Sequence, residues 1–513
     1  MAPTSNPPGP SDPSRRPGEH GSENGNEIRT NGGAPAGQLW AGVARVDITN
    51  YEAGPVNDPL YVKALVVTDG ATTAVMATVD AVALAEIGFI RNDYLANVRA
   101  RLRDELSLEP RHVLINASHC HGVVCAEVED RTVQAVAAAR QKLVAVKVGA
   151  GRGHEDRIME NRRLRLRNGR EADVRHAYSL PPDAEVVGTG PVDPEIGILR
   201  LDRLDGRALA VVYNFACHPI QGVPSGGNTA DLSGFASTVI ERNLSDDTIA
   251  LFLQGCAGDI NPVLYKDVDH PRNAEPLGNR LGLSTLEALR QIPSAEGGAL
   301  QMIREVVDLP RADLAPAIAS LQAEQTRLLQ SLQGTSLNLR MFLHLLTKYS
   351  LAHDYPSYYS HRYLHEAMLG RSDLTRLDAA NREQIDLYVA NIHGMEQLTR
   401  IQINLDLLRM HQAQNVAAGR MTVEVEIVGL RIGDFVLLTF PGELSVQIGL
   451  DLKRTSPHKF TFVAGYTNGY IYYAPTAEQL ENLGGAQEDS DCILAPAWQA
   501  LFEEKARALL ERL

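Results

Sequence analysis

The sequence predicts an α/β protein: a mixed sheet with flanking helices, interrupted by a helical insertion. Three observations carry that prediction. Short apolar runs recur along most of the chain and close on polar turns, as buried strands do. Segments with apolar residues at helical spacing alternate with them, which is the pattern of layered α/β or α+β folds. Between about residues 313 and 419 the strand pattern lapses, and Ile318, Leu321, Leu328 and Leu332, then Leu398, Ile401, Leu405 and Leu408, fall at helical spacing.

Taken in order, residues 1–38 are rich in Pro, Gly, Ser and Asn with almost no large apolar side chains. Burial there cannot offset the entropy of ordering, so the segment is expected to be disordered, with the folded domain spanning 39–513 and the insertion 313–419 within it. Residues 39–49, 60–67 and 73–80 read as strands, the last two joined by the turn pair Asp69-Gly70. Residues 90–106 carry a helical period, Val113-Leu114-Ile115 is a buried strand, and the alanine-rich stretch 132–146 reads as a helix. A continuous apolar run over 208–216 predicts a central strand that stops at Pro219. Asp231 is placed as the N-cap of a helix reaching residue 244. A further strand, 249–254, runs into Gly255-Cys256-Ala257-Gly258-Asp259-Ile260-Asn261-Pro262, whose glycines permit positive φ and a close backbone approach to a ligand. After the insertion, strands over 421–428 and 434–440 lead to Pro441-Gly442-Glu443.

Composition narrows the function classes. The chain has 513 residues, 44% hydrophobic and 22% charged, as in ordinary globular proteins. Its 49 basic and 63 acidic side chains give a net charge of −14, which leaves no basic excess to neutralise phosphates and argues against nucleic acid or an anionic membrane surface as partner. No apolar stretch reaches the roughly 18 residues of a transmembrane helix, and no apolar core of a signal peptide is visible at the N-terminus. Five sparse cysteines (Cys120, Cys125, Cys217, Cys256, Cys492) do not form a disulfide scaffold, and the expected location is cytoplasmic. The oligomeric state is left open.

The chemistry concentrates where apolar strands end. His119 and His121, one residue apart after Val113-Leu114-Ile115, can aim two imidazoles into one pocket, and neutral imidazole is a common zinc ligand. Three later strands each end in a further donor or glycine-rich turn, so the centre of the protein reads as a metal site. In the insertion, His353, Tyr355, Tyr358, Tyr359, His361 and His365 stand close together; they are read as helix packing or as a substrate wall or lid.

Six motifs in order then resemble the catalytic domain of the neutral/alkaline (non-lysosomal) ceramidases: Asp47-Ile48-Thr49, Asn116 to His121, Asn214-Phe215-Ala216-Cys217-His218-Pro219, Gly258 to Pro262, Pro441-Gly442-Glu443 and Asn468-Gly469-Tyr470-Ile471-Tyr472-Tyr473. The resemblance covers nearly all of 39–513. It implies one catalytic zinc per chain held by His119, His218, Glu443 and Tyr473, with Tyr470 as the alternative tyrosine, and hydrolysis of the amide of an N-acylated molecule. It also implies His121 as the group that moves a proton or stabilises the oxyanion, Arg162 as a catalytic substrate contact, and Asp259, Asn261 and Tyr470 in substrate binding. The chain departs from the family at three places. Asn261 stands where the family has serine, a tyrosine expected about twelve residues after Tyr473 is missing near Leu483-Gly484-Gly485, and the C-terminal β-sandwich is lacking. Two other readings stand beside hydrolysis: amide formation or cyclisation at the same metal, since an activated acyl centre can meet an amine instead of water, and, on the strength of Asn261 and the missing tyrosine, a non-catalytic zinc-stabilised binding protein. Cys120 as nucleophile or ligand ranks below them, because neighbours on a strand face opposite ways.

Overall fold

Nine strands build the larger sheet among the described residues, which in this computed structural model are 37–174, 180–265, 267–482 and 484–513. The disorder expected for residues 1–38 falls on 1–36, outside that set; Gln38 is already part of the fold, its Nε2 donating to the Val146 carbonyl at 3.1 Å. Eight of the strands are β1 (Leu39–Asp47), β2 (Tyr61–Thr68), β3 (Thr73–Val79), β4 (Val113–Ala117), β5 (Val144–His154), β6 (Glu195–Arg203), β7 (Ala208–Phe215) and β8 (Ile249–Gln254). Their spatial order is β8-β7-β6-β5-β1-β2-β3-β4. The pairs β3–β4 and β7–β8 are parallel and the others antiparallel, so the sheet is mixed. The run read as a central strand, β7, lies one place in from the end of that order, flanked on both sides. The β2–β3 turn forms as its residues dictate: the Asp69 carboxylate accepts from the Ala71 and Thr72 amides at 2.9 and 2.6 Å, and Gly70 takes φ +91°.

A second sheet contains β9 (Leu300–Pro310), β10 (Thr422–Ile432), β11 (Phe435–Thr439) and β12 (Phe460–Ala464) in that order, with β11–β12 parallel. Its inner face packs on the first sheet: Leu430, Phe435 and Phe462 share one core with Leu65, Leu114, Leu199 and Val212. At Gly197 in β6 a Cβ would stand 2.3 Å from the Phe462 ring, so only glycine lets the sheets approach this closely. Helices α1 (Tyr94–Leu106) and α2 (Val128–Gln141) cover one part of the first sheet through Val98, Leu102, Val133 and Val136. Helices α3 (Asp231–Arg242) and α4 (Glu275–Leu289) cover another, with Leu232, Ala236 and Ile240 at a four-residue spacing against Val211, Tyr213 and Phe252. Fully burying a side chain such as Leu232 or Ile240 contributes roughly 1.5–3 kcal/mol.

Two local expectations are corrected. The helix read over 132–146 ends at Gln141, and Val144 begins β5; valines at 144, 146 and 148 and the Gly149-Ala150-Gly151 that follows suit an extended strand, not a helix. Asp231 does not cap α3. It is the first helical residue, at φ +54°, and its carboxylate accepts from its neighbour Leu232 N at 2.7 Å and from Gly222 N at 2.5 Å, tying the preceding loop to the helix.

Between β9 and β10 lie α5 (Ala315–Ser331), α6 (Leu339–Leu351), α7 (Ser360–Met368) and α8 (Asp373–Ala417). Helix α8 has 45 residues. Arg400 anchors it to Asp173 at 2.6 Å, and the Asn415 amide donates to the carbonyls of Ala312 and Ile493. The hydroxyls of Tyr349 and Tyr363 both donate to Asp378, at 2.9 and 2.5 Å, and of the residues clustered in the sequence Tyr355 packs its ring 5.2 Å from that of Tyr363. Helices α9 (Val446–Thr455) and α10 (Trp498–Leu510) complete the account, and no described helix is long and apolar enough to cross a membrane.

Candidate metal centre

The parallel pairs β3–β4, β7–β8 and β11–β12 bring the carboxyl ends of five strands to one place: Ser118 and His119 follow β4, His218 follows β7, Gly255 to Asp259 follow β8, Glu443 follows β11 and Tyr466 follows β12. Crevices at strand carboxyl ends are the usual ligand sites of such sheets. Two buried asparagines stitch these ends together. Asn116 accepts from Gln254 N at 3.0 Å and donates to the Gly465 carbonyl at 2.8 Å and the Thr467 hydroxyl at 2.9 Å. Asn214 donates to the carbonyls of Leu253 and Val463, at 3.0 and 3.2 Å. Each satisfies backbone groups that the meeting of two sheets leaves without ladder partners.

His119, His218 and Glu443 are all buried, and one ligand atom from each lies within 4.8 Å of the others. His119 Nδ1 contacts the Val82 carbonyl at 2.5 Å and His218 Nδ1 the Ile260 carbonyl at 2.9 Å. In the neutral tautomer these contacts fix the proton on Nδ1 and leave both Nε2 lone pairs facing Glu443. Glu443 Oε2 stands 3.1 Å from His218 Nε2 and Oε1 3.6 Å from His119 Nε2. Donors roughly 2.1 Å from a shared ion in a tetrahedron stand about 3.4 Å apart, so the three fit a small metal ion. Burial lowers the His119 pKa to about 4 against the pull of Glu443, so this imidazole is a neutral donor. For Glu443, burial pushes the pKa up, but His119, His218 and the Tyr470 hydroxyl outweigh it and hold the carboxyl well below its usual range.

Two tyrosines grip the same carboxylate. Tyr470 donates to Oε1 at 2.5 Å and Tyr466 to Oε2 at 3.1 Å, and the Tyr466 ring lies 4.2 Å from that of His119. Tyr473 pairs with Glu443 in the short parallel ladder of Glu443–Leu444 with Tyr473–Ala474, and the Arg162 guanidinium sits 5.5 Å over its ring. His119, Tyr466, Asn468 and Tyr472 all have positive φ without being glycine, at 66°, 52°, 58° and 66°. Each such residue costs of order 1–3 kcal/mol, and strain of this kind gathers at functional sites.

Of the residues singled out in the sequence, His119, His121, His218, Glu443, Tyr470 and Tyr473 line one cavity of about 170 Å³. His121 is exposed, its ring 5.6 Å from that of His119, and it also borders a second cavity of about 800 Å³ that shares Ile220 and Tyr265 with the first. Arg162, Asp259 and Asn261 lie behind this wall. The fully buried Arg162 donates to Glu488, to Asn261 Oδ1 at 3.0 Å and to the Gly258 carbonyl. Asp259 accepts from Val446 N at 2.8 Å and from Asn161 at 3.0 Å. At Gly258 a Cβ would stand 2.6 Å from the Glu443 carbonyl oxygen; the glycine serves close backbone approach, and neither Gly255 nor Gly258 has positive φ. Cys120 is buried in the apolar core, with burial pushing its thiol up, and all five cysteines are free. The Leu483 position of the shortened loop lies outside the described residues.

The sequence reading missed Tyr466, although it follows an apolar strand in the manner of His119 and His218. It also missed Asp491 and the α8 residues Leu407 and Met410, which line the cavity. The His353–His365 cluster contributes nothing to that lining.

Fold and site define a mixed α/β protein whose strand ends converge on a buried three-donor centre able to hold a metal ion. No protein-family model and no curated protein matches the chain. Solved structures do share its fold. Neutral ceramidase from Pseudomonas aeruginosa superposes with a TM-score of 0.58 at 16% identity, over 93% of this chain and 75% of that one. A ceramidase complexed with C2 gives a TM-score of 0.58 at 16% identity, over 93% and 76%.

Proposed function

We propose that the protein is a zinc-dependent hydrolase of the amide bond in a small or N-acylated molecule, with a lipid amide as the first specific candidate. The observation that carries this reading is the convergence of two imidazole nitrogens and a carboxylate, all buried, with their outer atoms already hydrogen-bonded. The ceramidase fold supports amide as the bond class.

His119, His218 and Glu443 would hold the ion, with Tyr473 as the fourth donor from the strand beside Glu443. When bound, a zinc ion lowers the pKa of water towards about 7 and polarises a carbonyl. The chain's own contribution is orientation and proton handling. Val82 and Ile260 fix the imidazoles, and Tyr466 and Tyr470 fix both oxygens of Glu443. His121 stands between the small cavity and the large one, where it can deliver a proton to the departing nitrogen while the larger arm of the substrate occupies the 800 Å³ space. Arg162, with no exposed surface, acts through Tyr473 and not on substrate.

The test is turnover of a panel of N-acyl amides by zinc-loaded protein, followed by fatty-acid and amine release. Hydrolysis that stops with a chelator, returns with zinc and is lost in His121→Ala supports the reading. A zinc-loaded protein inert across short-chain, long-chain and lipid amides refutes it.

A further inference from the structure

The small cavity holds a second carboxylate, Asp491, besides Glu443. Asp491 follows the short helical turn Gln487–Ser490 and lines the same cavity as His119 and His218. Its backbone is fixed on both sides: its amide donates to the Gln487 carbonyl at 2.8 Å, and its carbonyl accepts from Tyr473 N at 3.1 Å. Its side chain is held from α8. His411, fully buried, contacts Asp491 Oδ1 through Nε2 at 2.7 Å and Gln414 Oε1 through Nδ1 at 2.9 Å. Gln414 donates in turn to the Tyr472 hydroxyl at 2.8 Å, and that hydroxyl donates to Glu86 at 3.2 Å. Oδ2 of Asp491 has no hydrogen-bond partner among the described residues, and the side chain keeps 16% of its surface exposed.

The contrast with Glu443 gives this its meaning. Each oxygen of Glu443 accepts from a tyrosine and faces a histidine Nε2. Asp491 is held by its neighbours through Oδ1 alone, in the cavity that it shares with His119, His218 and Glu443 on the polar side and with Val82, Ile87, Leu407 and Met410 on the apolar side. The side chain keeps some exposure there, and a hydrogen bond to a charged carboxylate oxygen is roughly twice as strong as one between neutral groups, so a substrate donor reaching Oδ2 gains a strong partner. At about 170 Å³ the cavity is well below the roughly 300–1,000 Å³ of sites for drug-sized ligands, so the group that enters is small.

We infer that Asp491 is a specificity-determining residue: its free oxygen accepts a hydrogen bond from a hydroxyl or ammonium group on the small arm of the substrate, and His411 on α8 is its positioning residue. The substrate class narrows from amides in general to amides whose smaller half carries a hydrogen-bond donor a few bonds from the carbonyl. This rests on the proposed amide-hydrolase reading.

A direct binding test separates the two. Zinc-loaded protein is titrated calorimetrically with three matched hydroxamates on a three-carbon chain, ending in ammonium, hydroxyl or methyl, and with their two- and four-carbon homologues. The donor-bearing compounds should bind wild type on the order of 10- to 100-fold tighter than the methyl compound, the worth of one hydrogen bond to a charged group. That ratio should collapse in Asp491→Ala and narrow in His411→Gln; should Asp491→Ala not fold, Asp491→Asn gives the same reading with the ammonium compound. The ratio within each variant is the readout, so general weakening cancels. Ammonium above hydroxyl assigns a cationic substrate and the reverse a hydroxylated one, and both support the inference. Equal binding of all three at every chain length, or a ratio that survives in the variants, overturns it while leaving the metal site standing. Failure of every hydroxamate to bind overturns the amide-hydrolase reading and the inference with it.

Discussion

Replacing Tyr470 by phenylalanine separates a residue that orients a metal ligand from one that is a ligand. The Tyr470 hydroxyl donates to Glu443 Oε1 at 2.5 Å, both groups being buried, while Tyr473 is the tyrosine whose backbone pairs with Glu443. Tyr470→Phe removes one charge-assisted hydrogen bond and leaves the ring in place, a loss of about 1.5–3 kcal/mol. With about 1.4 kcal/mol to each factor of ten, zinc affinity should fall roughly 10- to 100-fold, the range seen when partners of metal ligands are removed. Tyr473→Phe should weaken zinc further, because a donor is lost. The assay is competition for zinc against a chromogenic chelator, with circular dichroism to show that both variants are folded. Zinc affinity within twofold of wild type in Tyr470→Phe would refute the orienting role. Loss of zinc as complete as in Glu443→Ala would show that Tyr470 is itself the ligand.

Further outcomes follow from the same geometry. In chelator-treated protein the His119 pKa is lowered from 6.5 to about 4, so the unfolded state takes up the proton first; stability present above pH 6.5 is lost as pH falls towards 4, by ~3 kcal/mol from this group. Thermal melts of metal-free wild type from pH 7 to 4.5 should fall more steeply than those of His119→Gln, and parallel curves would contradict a depressed His119 pKa. Asn116→Ala deletes three buried hydrogen bonds where the sheets meet and should destabilise by about 2–4 kcal/mol in urea unfolding; a change under about 0.5 kcal/mol would mean that the junction is held elsewhere. Cys120, Cys217, Cys256 and Cys492 are buried and Cys125 is half-buried, so a thiol reagent should label Cys125 alone in native protein; rapid native labelling of Cys120 would revive it as a nucleophile.

The strands that carry the site were legible because burial on both faces writes an unbroken apolar run, as in Val113-Leu114-Ile115 and Leu209 to Tyr213, and a polar break marks where each strand meets the cavity. The histidines stood out at those breaks, and the order of motifs linked them to Glu443 across more than two hundred residues. What could not be read depends on three-dimensional neighbours. Nothing local distinguishes Arg162 touching substrate from Arg162 clamped by Glu488 and Asn261. His411 and Asp491 lie 80 positions apart, with no pattern in the sequence linking them, and meet only because α8 runs back past the site. The end of α2 was misread because alanine and valine extend a helical period into residues that the sheet claims for β5.

The central claim is that His119, His218 and Glu443 hold one zinc ion, and elemental analysis tests it most directly. Purified wild type and the variants His119→Ala, His218→Ala and Glu443→Ala should be measured side by side. The account predicts about one zinc per chain in wild type, lost in all three variants. Wild type that takes up no zinc when supplied with it, or variants that retain it, would contradict the account.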